Sequence, residues 1–318
     1  MLDPIQPMEP KASTSIPRGE EWLAQVKWDG VRVLTHYNGE KVHLFNRRGR
    51  ERTDHYPELL AIKEYCRASS VILDGEVIAL GDKGKPSFSE VMRRDGIKKM
   101  AMVEGLRKAV PITYMVFDVL YYNGRWVNKN PLGKRITILE EILIPGPNIQ
   151  PVFSHGDGQE LFRAVQKEGM EGVVVKQKGS VYCFGGKSDS WLKIKNYFDL
   201  IAVVAGYTLS GSQVKSVLLG LFDELGNLWY IGHCGTGKLR KREWQDLSSV
   251  FRSLQVEEQP FVNRPQRYKD VLWLKPKITV KVNYAGWTEG GSLRQPSIQA
   301  LVDVSPELCQ YNQLLGQG

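Results

Sequence analysis

The sequence predicts two domains of different texture: a mixed α+β domain over residues 1–198 and a mostly β domain over residues 199–318. Three observations predict it. At 318 residues and 42% hydrophobic composition, the chain is long enough to build two cores rather than one. Up to about residue 198, β-branched and aromatic runs such as SSVILDGEVIAL, ITYMVFDVLYY and EGVVVK read as strands separated by helical patterns. From about Leu200 the pattern becomes short apolar runs broken by turns.

Along the chain, QVKWDGVRVL (Gln25–Leu34) is strand-like but interrupted by Lys27, with Asp29 and Gly30 suited to a sharp turn. NPLGKRITILEEIL predicts a helix with Asn130 as N-cap, Pro131 in the first turn, and Leu132, Ile136, Leu139 and Leu143 on one face. DGQELFRAVQKEG predicts a second helix, with Asp157 and Glu160 at capping-box spacing and Gly169 as the stop. Beyond Leu200, IAVVAGYT, SVLLGLFDELGNLWYIGHC and ITVKVNYAGW read as strands, with a hairpin turn at Asp223–Asn227. The helix candidate LRKREWQDLSSVFRSL interrupts them, and a small β-barrel with an inserted helix packs such an inventory.

The net charge of +8 favours polyanionic partners, and part of the excess is clustered in RRGRER (Arg47–Arg52) and KLRKR (Lys238–Arg242). Such clusters also arise as solvated faces. The chain lacks both the long apolar run of a membrane span and the apolar stretch of a signal peptide, which predicts a soluble, cytoplasmic protein. Cys66, Cys183, Cys234 and Cys309 lie far apart without zinc-ligand spacing, so buried or incidental thiols are expected.

Lys27 at a strand end beside an acid fits a covalent nucleophile, because desolvation or neighbouring cations lower an amine's pKa. In isolation KxDG is a weak pattern, and a strand-end surface lysine before a turn is the more natural reading of it. Five further segments follow it in order: FNRRG (Phe45–Gly49), LDGEV (Leu73–Val77), MVFDVLY (Met115–Tyr121), EGVVVK (Glu171–Lys176) and WLKIK (Trp191–Lys195). Together with KWDGVR these resemble the covalent nucleotidyltransferases, specifically the ATP-dependent DNA ligases. SVLLGLFDELGNLWYIGHCGTG, WLKPKITVKV and GWTEGGSLRQP are similar to the C-terminal domain of bacterial end-joining ligases, which extends the resemblance over nearly the whole chain.

The resemblance implies an α+β nucleotidyltransferase (adenylation) domain followed by a mostly β OB-fold domain. It implies that Lys27 attacks the α-phosphate of ATP to form a lysyl-AMP phosphoramidate. Lys193 and Lys195 alternate along a strand and so face one side, where they would neutralise that phosphate and depress the pKa of Lys27. Glu76 and Glu171 are implied ribose or metal contacts, their hard oxygens suiting Mg2+, with Mn2+ as the alternative ion. Phe117 is the implied adenine-stacking aromatic. Gln25, Arg32 and Arg47 complete the implied ATP-binding set, the two arginines holding the nucleotide and the 5′-phosphate of a nick. The implied DNA-facing residues are Arg47, Arg48, Arg50, Lys238 and Arg240, and the OB-fold domain would close over ATP and bind the duplex.

Three departures accompany the resemblance. Gln25 and Asn46 stand where the family usually has Glu and Ser or Thr, each keeping a hydrogen-bonding side chain. GHCGTGKL (Gly232–Leu239) has phosphate-loop spacing but ends in leucine rather than Ser or Thr, and it lies among strands, so a Gly-rich turn is expected. The region Val302–Ser305 reads Val-Asp-Val-Ser where the family's Arg-x-Asp-Lys clamp on pyrophosphate is expected, which leaves self-adenylation slow or served by another cation such as Arg294.

The expected function is ATP-dependent sealing of nicks or ends in duplex DNA, in repair, recombination and non-homologous end joining. The expected protein is a bacterial, nucleoid-associated monomer working with an end-bridging or polymerase partner. The alternatives are an RNA ligase, a capping-type nucleotidyltransferase, or a nick-binding protein with impaired self-adenylation. An NAD-dependent ligase is disfavoured because 26 residues precede Lys27 and the cysteines cannot form that family's zinc module.

Overall fold

A computed structural model of the chain describes residues 3–81, 84–211, 213–265, 270–288 and 290–314. Glu289, within GWTEGGSLRQP, lies outside the described residues. The chain divides into two compact units, Met1–Asn196 and Tyr197–Gly318.

In chain order the first unit contains β1 (Glu9–Ala12), β2 (Trp22–Val26), β3 (Val31–Tyr37), β4 (Val42–Asn46), α1 (Ile62–Tyr65), β5 (Val71–Ala79), α2 (Phe88–Asp95) and α3 (Val103–Ala109). It continues with β6 (Ile112–Tyr122), β7 (Arg125–Trp126), α4 (Leu132–Ile142), β8 (Ile149–Pro151), α5 (Gly158–Lys167), β9 (Gly172–Gln177) and β10 (Lys187–Lys195). Two sheets result. One has the order β1-β10-β9-β2, and the other β4-β3-β5-β6-β7 with β8 alongside β6.

Period-two alternation decides which side chains meet. Ala24, Val173, Val175 and Ile194 turn to one face of the first sheet and pack with Val165 of α5. On the opposite face, Leu23 and Trp191 share a core with Leu34, Ile72 and Leu120 of the second sheet. The far face of the second sheet carries Val33, Leu73, Val77, Tyr114 and Val116 into another core with Leu139 and Ile142 of α4. The polar alternates therefore collect on the facing surfaces of the two sheets.

Asp74 and Asp118 are directly opposed across the β5–β6 ladder, both at 0% exposure. Each has its own arginine. Arg32 grips Asp74 through Nε (2.9 Å) and Nη2 (2.6 Å), and Arg135 of α4 grips Asp118 through Nε (2.7 Å) and Nη2 (2.9 Å). Buried carboxylates persist only when so paired.

The helix expected to be capped by Asn130 starts differently. Pro131 takes the cap position with extended backbone and no side-chain cap. The first amides are satisfied by carbonyls instead, Leu132 donating to Ser180 and Gly133 to Lys178 at 2.9 Å each. Leu143 is the extended residue after the helix rather than part of its face. At α5, the Asp157 carboxylate accepts from the amides of Gln159 (2.8 Å) and Glu160 (3.0 Å), and Gly169 turns out of the helix at φ +64°.

The second unit contains β11 (Phe198–Ser210), β12 (Gln213–Phe222), β13 (Leu228–Cys234), α6 (Lys241–Ser253), β14 (Gln255–Val256), β15 (Val271–Tyr284) and β16 (Ser297–Val302). Its antiparallel sheet runs β13-β12-β11-β15-β14, with β16 also on β15. The sheet curls on itself, since the amide of Leu293 donates to Ile231 of β13 and that of Lys238 to Ile298 of β16. Leu218, Leu219, Ile231, Val280 and Ile298 fill the interior with Trp244 and Phe251 of α6. This is the mostly β, barrel-like second domain with an inserted helix that the sequence predicts, following a mixed α+β domain. The β12–β13 turn is organised by Asp223, which accepts from the amides of Leu225 and Asn227 and from Trp229 Nε1. The Gly-rich GHCGTGKL segment joins this antiparallel sheet and opens no βαβ unit. A Cβ at Gly237 would lie 2.1 Å from the Ile298 carbonyl.

All four cysteines are free; Cys183 is exposed and the other three are buried. Among the described residues no helix is long and apolar enough to cross a membrane.

Candidate active site

Lys27 lies where the chain crosses from one sheet of the first unit to the other. Its amide extends the β2–β9 ladder by donating to the Gly172 carbonyl at 2.9 Å, and β3 begins four residues later. The crossing requires glycine at position 30, because a Cβ there would sit 2.2 Å from the Val77 carbonyl, opposite which Val31 enters the β3–β5 ladder. The Lys27 side chain thus reaches a cleft of about 580 Å³ between the facing sheet surfaces.

Glu171 organises the reactive end. Its Oε2 lies 2.6 Å from Lys27 Nζ and its Oε1 lies 3.3 Å from Lys195 Nζ. Gly172 follows at φ +144°, and a Cβ there would meet the Ile194 carbonyl at 2.1 Å, so only glycine lets β9 approach β10 this closely. Lys193, two residues before Lys195 on β10, also lines the cleft. Burial, together with Lys27 and Lys195 nearby, lowers its pKa.

Phe117 and Trp191 line the cleft with Lys176 between them. Lys176 Nζ lies 4.0 Å from the Trp191 ring centroid, and Lys176 is 2% exposed. Burial pushes its pKa down to about 7, against the pull of Asp118 and Asp74. Glu76 lies opposite Arg32 across the β3–β5 ladder, and burial pushes its carboxyl up to about 8; Lys27 and Arg32 oppose the rise, while Asp74 and Glu171 add to it. Gln25, 3% exposed, donates through Nε2 to Ser154 Oγ at 3.1 Å. Among the described residues no three His, Cys, Asp or Glu side chains converge as a ready-made metal site.

Arg32 lines the same cleft, but its guanidinium is engaged by Asp74, the Met8 carbonyl (2.8 Å) and Tyr182 Oη (3.1 Å). It braces the site from behind Phe117, 5.2 Å from that ring's centroid. Arg47, Arg48 and Arg50 are exposed at the cleft mouth on a tight turn. The Asn46 side chain holds that turn by accepting the amides of Arg48 (2.9 Å) and Arg50 (3.1 Å). Lys238 and Arg240 are exposed in the second unit, before α6.

Sequence reasoning did not single out Lys176, Asp74, Tyr182, Ser154 or Glu9. Lys176 was within reach of it, because it alternates with Val174 in EGVVVK and so shares the cleft-facing side of β9. Asp74 and Tyr182 become visible only through pairings that span much of the unit.

The family model described as "ATP dependent DNA ligase domain" matches residues 7–195, and "ATP dependent DNA ligase C terminal region" matches residues 210–303. The multifunctional non-homologous end joining protein LigD of Mycobacterium bovis is 32% identical over 290 residues, covering 89% of this chain and 36% of that protein. The DNA ligase of Methanothermobacter thermautotrophicus is 32% identical over 326 residues, covering 96% of this chain and 57% of that protein. The chain thus spans between a third and three-fifths of the length of these relatives. Among solved structures, the ligase domain from M. tuberculosis LigD is 30% identical with a TM-score of 0.54, covering 95% of this chain and 96% of that one.

Proposed function

The chain belongs to the ATP-dependent DNA ligase family, and from that premise we propose that it joins a 5′-phosphate to a 3′-hydroxyl in duplex DNA through an adenylate carried on Lys27. The observation that carries the reading is the Lys27 ammonium held 2.6 Å from Glu171 in a cleft that also presents Phe117 and Lys193. Nucleotidyl transfer is assigned to residues 1–198 and an OB-fold role on DNA to residues 199–318.

In the first step the deprotonated amine of Lys27 attacks the α-phosphorus of ATP; an N–P bond forms, the α–β phosphoanhydride breaks and pyrophosphate leaves. In the second, an oxygen of the 5′-phosphate attacks the same phosphorus and the N–P bond breaks, returning the amine. In the third, the 3′-hydroxyl attacks the activated 5′-phosphate, loses its proton, and AMP departs. Lys193 and Lys195 offset phosphate charge as it develops. Phe117 offers the base a stacking face, and Glu171 aims the amine. Arg47 holds the 5′-phosphate, and Arg48, Arg50, Lys238 and Arg240 track backbone phosphates without sequence preference.

Glu76 suits a divalent cation. It is a carboxyl lining the cleft whose pKa is raised by burial first and by the charges of Asp74 and Glu171 in addition, a cost that a bound cation relieves. With Glu171 it would hold Mg2+ or Mn2+, which supplies charge neutralisation on the phosphates. The natural substrates are nicked or broken duplexes in end joining and repair. The protein acts as a cytoplasmic, nucleoid-associated monomer recruited by an end-bridging or polymerase partner.

Labelling with α-labelled ATP tests the reading: wild-type protein acquires a covalent adduct and Lys27→Ala does not. An adduct of undiminished yield on the alanine variant overturns it. Replacing ATP by GTP, and the nicked DNA by nicked RNA, separates the capping-type and RNA ligase alternatives.

One sequence feature favours a slow first step. Val302–Ser305 carries no cation, and its backbone is tied down by Thr279 Oγ1 donating to the carbonyls of Val302 (2.8 Å) and Val304 (3.0 Å). Sealing of a pre-adenylylated nick much faster than of a plain nick with ATP supports this reading. Sealing of neither would identify a nick-binding protein.

A further inference from the structure

On the first unit, Trp126 and Phe184 stand 45% and 41% exposed although their rings touch, with centroids 5.4 Å apart at 66°. Neither lines the cleft. Their neighbours hold both rings in place: Trp126 packs edge-on against Tyr121 (5.3 Å) and Phe184 against Tyr182 (5.8 Å), which is itself 1% exposed. The backbone under them is equally fixed. Asn123 and Gly124, at φ +46° and +83°, turn β6 into β7 in two residues. The Asn123 side chain accepts the Ser69 amide (2.8 Å), and Ser70 Oγ accepts the Gly124 amide (3.1 Å). Next to Phe184, the Gly185 amide donates to the Gln6 carbonyl at 2.8 Å. Two large aromatic side chains fixed in place and left open to water form a recognition surface.

Charge decides what this surface fits. Residues 121–135 and 172–188, which build it, contain no Asp or Glu. Within them Arg125, Lys129, Lys134 and Lys178 are exposed. The two segments run side by side: the Tyr182 amide donates to the Asn128 carbonyl (2.8 Å), and the Leu132 and Gly133 amides donate to those of Ser180 and Lys178 (2.9 Å each). A polyanion is therefore the complement, and the rings specify its kind. Bases stack on exposed aromatic side chains when the strand is single, whereas in a duplex their faces are covered. An added peptide strand would find only the two residues of β7 to pair with.

We propose that the Trp126 and Phe184 patch binds single-stranded DNA beside a break or gap, the rings stacking bases while Arg125, Lys129 and Lys178 hold the backbone. This rests on the ligase reading for the choice of DNA as the polyanion, and adds a tail-binding site to it. The position suits a tail. Phe184 is two residues from Gly186, whose carbonyl accepts the amide of Glu9, a residue lining the cleft. Two extended residues and one hydrogen bond place the patch within roughly 10 Å of the cleft's rim.

The test is equilibrium binding of a fluorescent oligo-dT strand, a blunt nicked duplex, and the same duplex carrying an oligo-dT tail, in EDTA and without ATP. Wild type is expected to bind the tailed duplex more tightly than the blunt one. Trp126→Ala/Phe184→Ala loses that advantage and binds oligo-dT roughly fivefold or more weakly, the scale of one lost base stack. Its affinity for the blunt nicked duplex stays as in wild type, which also shows that it folds. Lys129→Glu/Lys178→Glu, changed only at exposed side chains, probes the same patch without touching the packed rings, and is expected to weaken oligo-dT binding more than blunt-duplex binding. Equal losses on all three DNAs, or no loss on the tailed one, overturn the proposal. So does a wild type indifferent to the tail, which would leave the patch to a protein partner. Labelling with α-labelled ATP checks the ligase reading separately: a wild type without adduct defeats that reading while the comparison of tailed and blunt DNA still stands.

Discussion

The ammonium nitrogen of Lys176 lies 4.5 Å from the centroid of the Phe117 ring, in a side chain almost wholly removed from water. Aromatic faces offset part of the cost of burying that charge. The remainder appears as a pKa pushed down to about 7.

Lys176 makes stability depend on pH in a stated direction. Below about pH 7 the lysine is charged in both the folded and the unfolded chain, and the burial penalty is fully present. Between about 7 and 10.5 the unfolded chain keeps a proton the folded one has released, so wild-type stability rises by about 1.4 kcal/mol per pH unit from this group. Lys176→Met is therefore expected to be more stable than wild type at pH 6.5, with the margin shrinking towards pH 10. Urea melts of both proteins across that range measure it, and a margin independent of pH would refute the assignment.

Glu76 acts in the opposite sense. Its carboxyl is raised from 4.5 to about 8, so between those values the folded chain holds a proton that unfolding releases, and stability falls as pH rises. Glu76→Gln is expected to melt above wild type, by a margin that grows from pH 5 to 8 and then levels off. The same variant is expected to lose most adduct formation with ATP and Mg2+, which separates its chemical role from its cost to stability.

Gly172→Ala is expected to be among the most disruptive single changes in the first unit. The added carbon meets the Ile194 carbonyl at 2.1 Å at a φ of +144°, so β9 must part from β10. Glu171 then moves relative to Lys27 and Lys195 together. The expected outcome is a loss of about 3 kcal/mol or more in chemical denaturation and no labelled adduct; near-normal labelling would show that Glu171 is not what aims the amine.

The elements legible in the sequence were those whose signal is local. The Asp157 cap, the Asp223–Asn227 turn and the period-two runs of β5, β6 and β9 are each decided by neighbours along the chain. Gly30 was readable as a turn residue, but its reason, the Val77 carbonyl, belongs to another strand. The start of α4 was misread because carbonyls of the β9–β10 connection satisfy amides that a side chain would otherwise cap. Arg32 is the instructive case. A planar guanidinium suits phosphate and carboxylate alike, and only the fold brings Asp74 to it.

The opposed pair Asp74 and Asp118 bears on how the chain finds its native pairing. A strand displaced by one residue turns its apolar side chains to the wrong face and is rejected by the hydrophobic effect. A displacement by two keeps every apolar residue on its proper face, so burial alone discriminates poorly against it. In that misaligned ladder the two carboxylates would no longer stand opposite one another, and Tyr182, which donates to Asp74 while its ring lies 5.8 Å from the Arg135 guanidinium, could not serve both pairs. Stranding one buried partner costs about 3–5 kcal/mol. The two acid–arginine pairs therefore serve as an alignment key for the central ladder, excluding near-native misfolds that the apolar pattern would tolerate.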